Sequence, residues 1–304
     1  MSVLGLPTSL YLWAREQSDV HDSKTRWKLG FITVGQENST PIDLYYEDHG
    51  AGPAVVLSHG WPLSSAAWEK QASALLTAGY RVIAYDRRGF GKSSQPSTGY
   101  DYDTFADDLH HLVTMLELTS FAMAGHSMGG GEVAGYIQKY GTSALRKAMF
   151  ISPVPPFLEK TVDNPTGVAA SVFTDIQNSI RADRPAHLTT FLSDFFNVDV
   201  ELGKRVSTEV VQAHWNIACG ASPTGTLECV NAWLTDFRAV CASIDIPSVI
   251  IHGDADRILP IDATAKPLAA LIPHAQLVVI KDGSHGIPWT HADEVNGAML
   301  AFLA

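Results

Sequence analysis

The sequence predicts an α/β fold with a mostly parallel central sheet flanked by helices and an inserted helical cap. Two observations carry this. Short apolar, β-branched runs alternate with longer stretches whose apolar residues recur at helical spacing, the pattern of βαβ units wound around a parallel sheet. The alternation breaks between Ser152 and Ser243, where Pro153, Pro155 and Pro156 open a segment rich in aromatic and polar residues with helical patterning, and then resumes.

Taken in order, Phe31–Val34 and Asp43–Glu47 read as a leading antiparallel pair. The runs at Ala54–Leu57, Arg81–Tyr85, Ser120–Ala124, Lys147–Ile151, Pro247–Ile251 and Gln276–Ile280 read as central strands. Between and after them, Ala66–Ala78, Tyr102–Leu118, Met128–Tyr140, Asp262–Leu271 and Ala292–Leu303 carry apolar residues at helical spacing. Residues 1–29 precede the first strand without clear periodicity and form an N-terminal extension. The core is expected from residues 30–152 and 244–304, and the cap from residues 153–243. No internal repeat or low-complexity tract interrupts this plan.

With 304 residues, 46% of them hydrophobic and 17% charged, the chain can bury a full core and carries too little charge for disorder. A formal net charge of -11 argues against nucleic acid or an anionic membrane as partner, because neutralising phosphates needs a basic surface. A small neutral or hydrophobic molecule fits better, and a homo-oligomer is left open. The three cysteines, Cys219, Cys229 and Cys241, are an odd set without metal-ligand spacing, so they are expected to be free thiols of a cytoplasmic protein. The short apolar run Leu10–Trp13 has no basic residue before it, so a secretory leader is not expected, and no apolar run reaches the roughly 18 residues of a membrane span.

Gly125-His126-Ser127-Met128-Gly129 matches G-x-S-x-G between an apolar strand and a helical stretch. In that context the pattern is a nucleophile elbow: small flanking residues let a strained turn hold the Ser127 hydroxyl exposed above the sheet, while the helix that follows aims its first N–H groups at a developing oxyanion. A serine hydroxyl is a weak nucleophile, so it needs an imidazole to take its proton and a carboxylate to orient the imidazole. Both are expected where loops leave the carboxyl ends of strands. His252-Gly253-Asp254-Ala255-Asp256-Arg257 follows one strand, and Asp282-Gly283-Ser284-His285-Gly286 follows the next. Of the 12 histidines only His285 combines that location with a flanking glycine turn late in the chain. The loop offers Asp254 and Asp256 as the acid and does not decide between them. Two backbone donors are needed for an oxyanion: Met128, next to the serine, and Trp61 in His59-Gly60-Trp61-Pro62, where Gly60 permits the sharp turn. His59 itself reads as structural.

Other patterns are weaker. Gly91-Lys92-Ser93 resembles the end of a phosphate loop, but Asp86 stands where that motif requires glycine. Gly129, Gly131 and Ala134 satisfy a dinucleotide-binding spacing, yet Phe150-Ile151-Ser152 supplies no acid for a ribose. Asp254 and Asp256 lack the glycine and closing glutamate of a calcium loop. Trp215, Trp233 and Phe237 read as core more readily than as ligand contacts.

Four stretches resemble the cofactor-free, non-haem haloperoxidases, perhydrolases and esterases of the α/β-hydrolase fold. They are Phe31-Ile32-Thr33-Val34-Gly35 running into Pro41-Ile42, then His59-Gly60-Trp61-Pro62-Leu63, then Tyr85-Asp86-Arg87-Arg88-Gly89-Phe90-Gly91, and Thr290-His291-Ala292-Asp293-Glu294-Val295-Asn296. The resemblance runs from about residue 30 to the C-terminus. It implies Ser127, Asp256 and His285 as the catalytic triad, with Asp256 preferred over Asp254, and Trp61 and Met128 as oxyanion donors. It implies hydrolysis of a small ester, lactone or lactam through an acyl-enzyme, peracid formation from a carboxylic acid and peroxide as a further capacity, and neither cofactor nor metal. His126 stands where these relatives usually carry phenylalanine, and Ser284 where proline is usual. The alternative reading is a ligand-binding receptor or a non-hydrolytic lyase built on the same fold and triad.

Overall fold

The structure is a computed structural model and describes residues 27–304. An eight-stranded sheet runs in the order β1-β2-β4-β3-β5-β6-β7-β8. Its strands are β1 (Trp27–Glu37), β2 (Thr40–His49), β3 (Ala54–Ser58), β4 (Arg81–Tyr85), β5 (Phe121–His126), β6 (Leu145–Ile151), β7 (Ser248–Gly253) and β8 (Gln276–Ile280). The leading pair is antiparallel, β2 also meets β4 antiparallel, and every pairing from β4 through β3 to β8 is parallel. Such a sheet needs crossover helices on both faces, which is why β3, β5 and β7 are buried from end to end and are apolar through their middles, with polar residues only towards their ends.

The pleat sorts those runs between two cores. Val55, Leu57, Val82, Ala84, Val249 and Ile251 pack with residues of α1 (Glu69–Thr77) and of the last helix, Ala292–Leu303, while Val56, Ile83, Met123, Phe150 and Ile250 face the opposite layer. That layer contains α2 (Tyr102–Met115) and α3 (Met128–Tyr140). Asp101 starts α2 by accepting the Thr104 N–H on its side chain at 2.9 Å.

Between β6 and β7 the chain leaves the sheet for five helices: α4 (Ala170–Phe196), α5 (Val198–Glu201), α6 (Thr208–Gly220), α7 (Pro223–Ala232) and α8 (Arg238–Ala242). Helix α4 is broken at Asp183, whose φ of -159° and ψ of 90° are extended. The Asp183 side chain accepts the Ala186 N–H at 3.0 Å, so it caps a second half-helix in which Pro185 sits in the first turn, where its missing N–H is harmless. After β7 come α9 (Ala265–Leu271), α10 (Ile287–Thr290) and α11 (Ala292–Leu303). No helix among the described residues is long and apolar enough to cross a membrane.

The structure departs from the sequence reading at element ends. Trp27, Lys28 and Leu29, expected in the N-terminal extension, are the first residues of β1 and pair with His49, Asp48 and Glu47; residues 1–26 of that extension lie outside the described residues. Along β1 only Ile32 and Val34 turn toward the core, between Leu29 (50% exposed), Phe31 (61% exposed) and Thr33, so alternation marks the middle of the strand and fades at its ends. Helix α9 starts at Ala265 instead of Asp262, since Pro260–Thr264 is spent in turns. The short α10 was not anticipated: four residues show no helical period.

Candidate active site

The G-x-S-x-G stretch joins β5 directly to α3. Ser127 has φ 56° and ψ -118°, a conformation that L-residues rarely adopt and that the surroundings must impose. They do so on both sides of the residue: the Ser127 N–H donates to the Ile151 carbonyl at 2.9 Å, and its carbonyl accepts from Gly130 and Val154 N–H at 2.9 and 3.1 Å. The flanking glycines are required by contact. A Cβ on Gly125 would lie 2.2 Å from the Gly129 carbonyl oxygen, and one on Gly129 would lie 2.2 Å from that of Ser58.

The loops after β7 and β8 bring Asp256 and His285 together. His285 Nδ1 donates to Asp256 Oδ2 at 2.7 Å, with both side chains wholly buried. The other carboxylate oxygen accepts the Ile258 and Leu259 N–H groups at 2.9 and 2.8 Å. Burial alone opposes a charge on Asp256, but the charge of His285 and the hydrogen bonds from His252 and His285 outweigh it and hold the carboxyl below the ordinary range. Asp254 is exposed and accepts the Asp282 N–H at 2.6 Å, tying the two loops together away from the imidazole. With Nδ1 engaged, His285 Nε2 is buried without a partner among the described residues, and no hydrogen bond joins it to Ser127. Such contacts are often long before substrate enters.

Sequence reading missed three supports of this pair. His252 Nε2 donates to the Leu259 carbonyl at 2.8 Å and lies 3.3 Å from Asp256 Oδ2. His126 Nε2 donates to the His285 carbonyl at 3.0 Å, and burial, helped by His285, lowers its pKa to about 3, so the ring is neutral. Phe195, at the end of α4, accepts the Gly286 N–H at 2.8 Å and sets its ring edge-on to His285 at 5.2 Å. The position of His252 four residues before Asp256 was the available signal; the other two contacts link residues far apart in the chain.

The turn after β3 comes against the serine. A Cβ on Gly60 would be 3.1 Å from Ser127 Cβ and 2.9 Å from His126 Nδ1. The Trp61 N–H has no acceptor among the described residues, and Met128, as the first residue of α3, has no intrahelical acceptor for its N–H. The Trp61 indole donates to the Thr226 carbonyl at 3.1 Å and meets Phe191 and Trp233 edge-on.

A cavity of about 270 Å³ opens on Ser127. Trp61, Leu158, Phe173, Phe191 and Trp233 give it an apolar wall, and Asp194 and Arg257 are among its few charged residues. Trp233 thus lines the cavity, whereas Phe237 packs on Tyr102 in the core. The pattern Gly91-Lys92-Ser93 holds no phosphate cradle: the Asp86 carboxylate fills the turn and accepts the Ser65 and Lys92 N–H groups, each at 2.7 Å.

A serine held at positive φ between strand and helix, beside a buried carboxylate–imidazole pair and under an apolar cavity, defines an α/β-hydrolase enzyme. A family model described as alpha/beta hydrolase fold matches residues 53–292, and the chain belongs to that family. It is 59% identical over 273 residues to a Synechocystis sp. protein bearing the name non-heme chloroperoxidase, covering 90% of this chain and 99% of the relative. It is 34% identical over 278 residues to a bifunctional esterase/perhydrolase of Acinetobacter calcoaceticus, covering 90% and 99%. A bromoperoxidase structure from Bacillus anthracis superimposes with a TM-score of 0.87 at 47% identity, over 91% of this chain and 99% of that one. The family resemblance drawn from the four sequence stretches therefore holds.

Proposed function

We propose that the protein hydrolyses a small, largely apolar ester, lactone or lactam through an acyl-enzyme on Ser127. In this reading His285 Nε2 takes the serine proton as Oγ attacks the carbonyl carbon, and Asp256 holds the imidazole in the Nδ1–H tautomer and balances its positive charge. Trp61 and Met128 N–H groups receive the oxyanion. The leaving group departs with the proton from His285, and water, deprotonated by the same nitrogen, then releases the acid. The observation that carries the reading is the Asp256–His285 hydrogen bond of 2.7 Å, which leaves His285 Nε2 unpartnered in the same site as a serine at positive φ.

Residues 153–243 act as a cap that shapes the cavity over a core of 30–152 and 244–304. The names of the relatives support peroxide as a second acceptor: attack by hydrogen peroxide on the acyl-enzyme returns Ser127 and releases a peracid in place of the acid. Those names do not favour the receptor and lyase alternatives. The three free cysteines favour a reducing cytoplasm, which cell fractionation would check, and sedimentation would read whether the chain forms a homo-oligomer.

Activity is tested with p-nitrophenyl esters and a serine-directed phosphonate. Ser127→Ala is expected to lose on the order of 10⁴ to 10⁶ in kcat and all labelling. Labelling that persists in the variant refutes Ser127 as nucleophile. Peracid formation from acetate and peroxide should likewise require Ser127 and survive chelation; ester hydrolysis without any peracid rejects that part alone.

A further inference from the structure

The proposed reaction needs the Trp61 N–H to face the oxyanion, and side chains outside the triad govern that direction. Gly60 and Trp61 share one planar trans peptide, in which the carbonyl and the N–H point opposite ways. The Gly60 carbonyl is held on its side by the Leu63 N–H at 3.0 Å and by His59 Nδ1 at 2.9 Å. His59 can donate there because its tautomer is fixed: the Arg87 main-chain N–H, which can only donate, is given to His59 Nε2 at 3.0 Å. The preceding carbonyl is fixed too, as the His59 oxygen accepts Arg87 Nη2 at 2.6 Å.

The same guanidinium reaches the other half of the site. Arg87 Nε and Nη2 donate to both carboxylate oxygens of Glu132, at 2.8 and 2.6 Å, and Ser58 and Tyr85 hydroxyls complete the carboxylate's partners. Glu132 lies in the second turn of α3, the helix whose first residue is Met128. Arg87 and Glu132 are both essentially inaccessible to solvent, which makes the link stiff and the pair costly to break.

The geometry points to Arg87, His59 and Glu132 as positioning residues that lock the Trp61 and Met128 N–H groups into one oxyanion site. The inference rests on the acyl-transfer reading above. Burial, together with the Arg87 charge beside it, holds His59 well below the ordinary histidine value, so the neutral tautomer persists at working pH.

The test uses the full chain as wild type, His59→Asn and Arg87→Lys. Active sites are first counted with the phosphonate, so that misfolded protein is excluded from kcat. Each variant is expected to lose about 10- to 10³-fold in kcat per labelled site, with KM changed less than about threefold, as for a damaged oxyanion donor. An aryl trifluoromethyl ketone, which forms an alkoxide on Ser127, should lose affinity by a similar factor, while the matching alcohol, which forms none, should not. Unchanged kcat per site with an unchanged ketone-to-alcohol affinity ratio overturns the proposal. Should neither variant fold, ¹⁵N NMR of the wild type decides: an Nδ1–H His59 tautomer constant from about pH 5 to 9 is required, and an Nε2–H tautomer or a cation refutes it. A wild type that takes up no phosphonate defeats the hydrolase reading itself, which is a different outcome.

Discussion

His126 makes the protein's stability depend on acid in a way that one substitution removes. Its ring is buried and neutral in the folded state, with a pKa lowered to about 3 by burial and by His285, against 6.5 for an ordinary histidine. Between those values the unfolded chain binds a proton that the folded chain refuses, so stability is full above about 6.5 and is lost as pH falls. The slope is about 1.4 kcal/mol per pH unit, so moving from pH 7.5 to 4.5 removes about 2.7 kcal/mol through this residue alone. Against a typical total of about 5–15 kcal/mol that is a large share. His126→Phe abolishes the titration and also the 3.0 Å hydrogen bond to the His285 carbonyl, a pH-independent loss of about 1 kcal/mol. The variant is therefore expected to be less stable than wild type at pH 7.5 and more stable at pH 4.5. Urea unfolding of both proteins at several pH values measures the crossing, since buried histidines that do not couple to this ring, such as His214 and His291, contribute equally to both curves and cancel. Parallel curves, with a difference constant to within about 0.5 kcal/mol, would refute the buried neutral ring.

Asp256→Asn should lower kcat by about 10²- to 10⁴-fold because the imidazolium loses its charge partner and preferred tautomer, while Asp254→Asn, which only alters a loop tie, should cost far less; steady-state esterase assays rank the two, and the opposite order overturns the assignment. Gly125→Ala places a Cβ 2.2 Å from the Gly129 carbonyl oxygen, so it should lower the melting temperature and slow phosphonate labelling by at least about 100-fold, and labelling at the wild-type rate would show that the elbow tolerates it. Leu158→Ala enlarges the wall of the cavity and should raise the kcat/KM ratio of hexanoyl to acetyl ester by about tenfold, at a cost of about 2–5 kcal/mol in stability; an unchanged ratio would place the acyl chain elsewhere.

The sequence alone determined the parallel core, because strands buried on both faces must be apolar through their middles and the helices between them keep a 3.6-residue period. It also determined the elbow, since the glycines around Ser127 are demanded by backbone contacts that a local motif records. Both are local constraints, and local constraints leave a trace in neighbouring residues. Edge strand β1 left a weaker trace and was read four residues short at its start and three at its end, because only Ile32 and Val34 near its middle turn to the core and its ends have no periodic burden to express. The choice between Asp254 and Asp256 was beyond residue spacing: both sit in one loop, and only the docking of the β8 loop shows which carboxylate meets His285. The linkage of Arg87 to His59 and Glu132 lay equally out of reach, joining positions 28 and 45 residues apart through side chains buried by the folding of three separate elements. Long-range hydrogen bonds of this kind depend on distances that only tertiary packing sets, so the serine turn was legible in sequence while the contacts around it were decided in three dimensions.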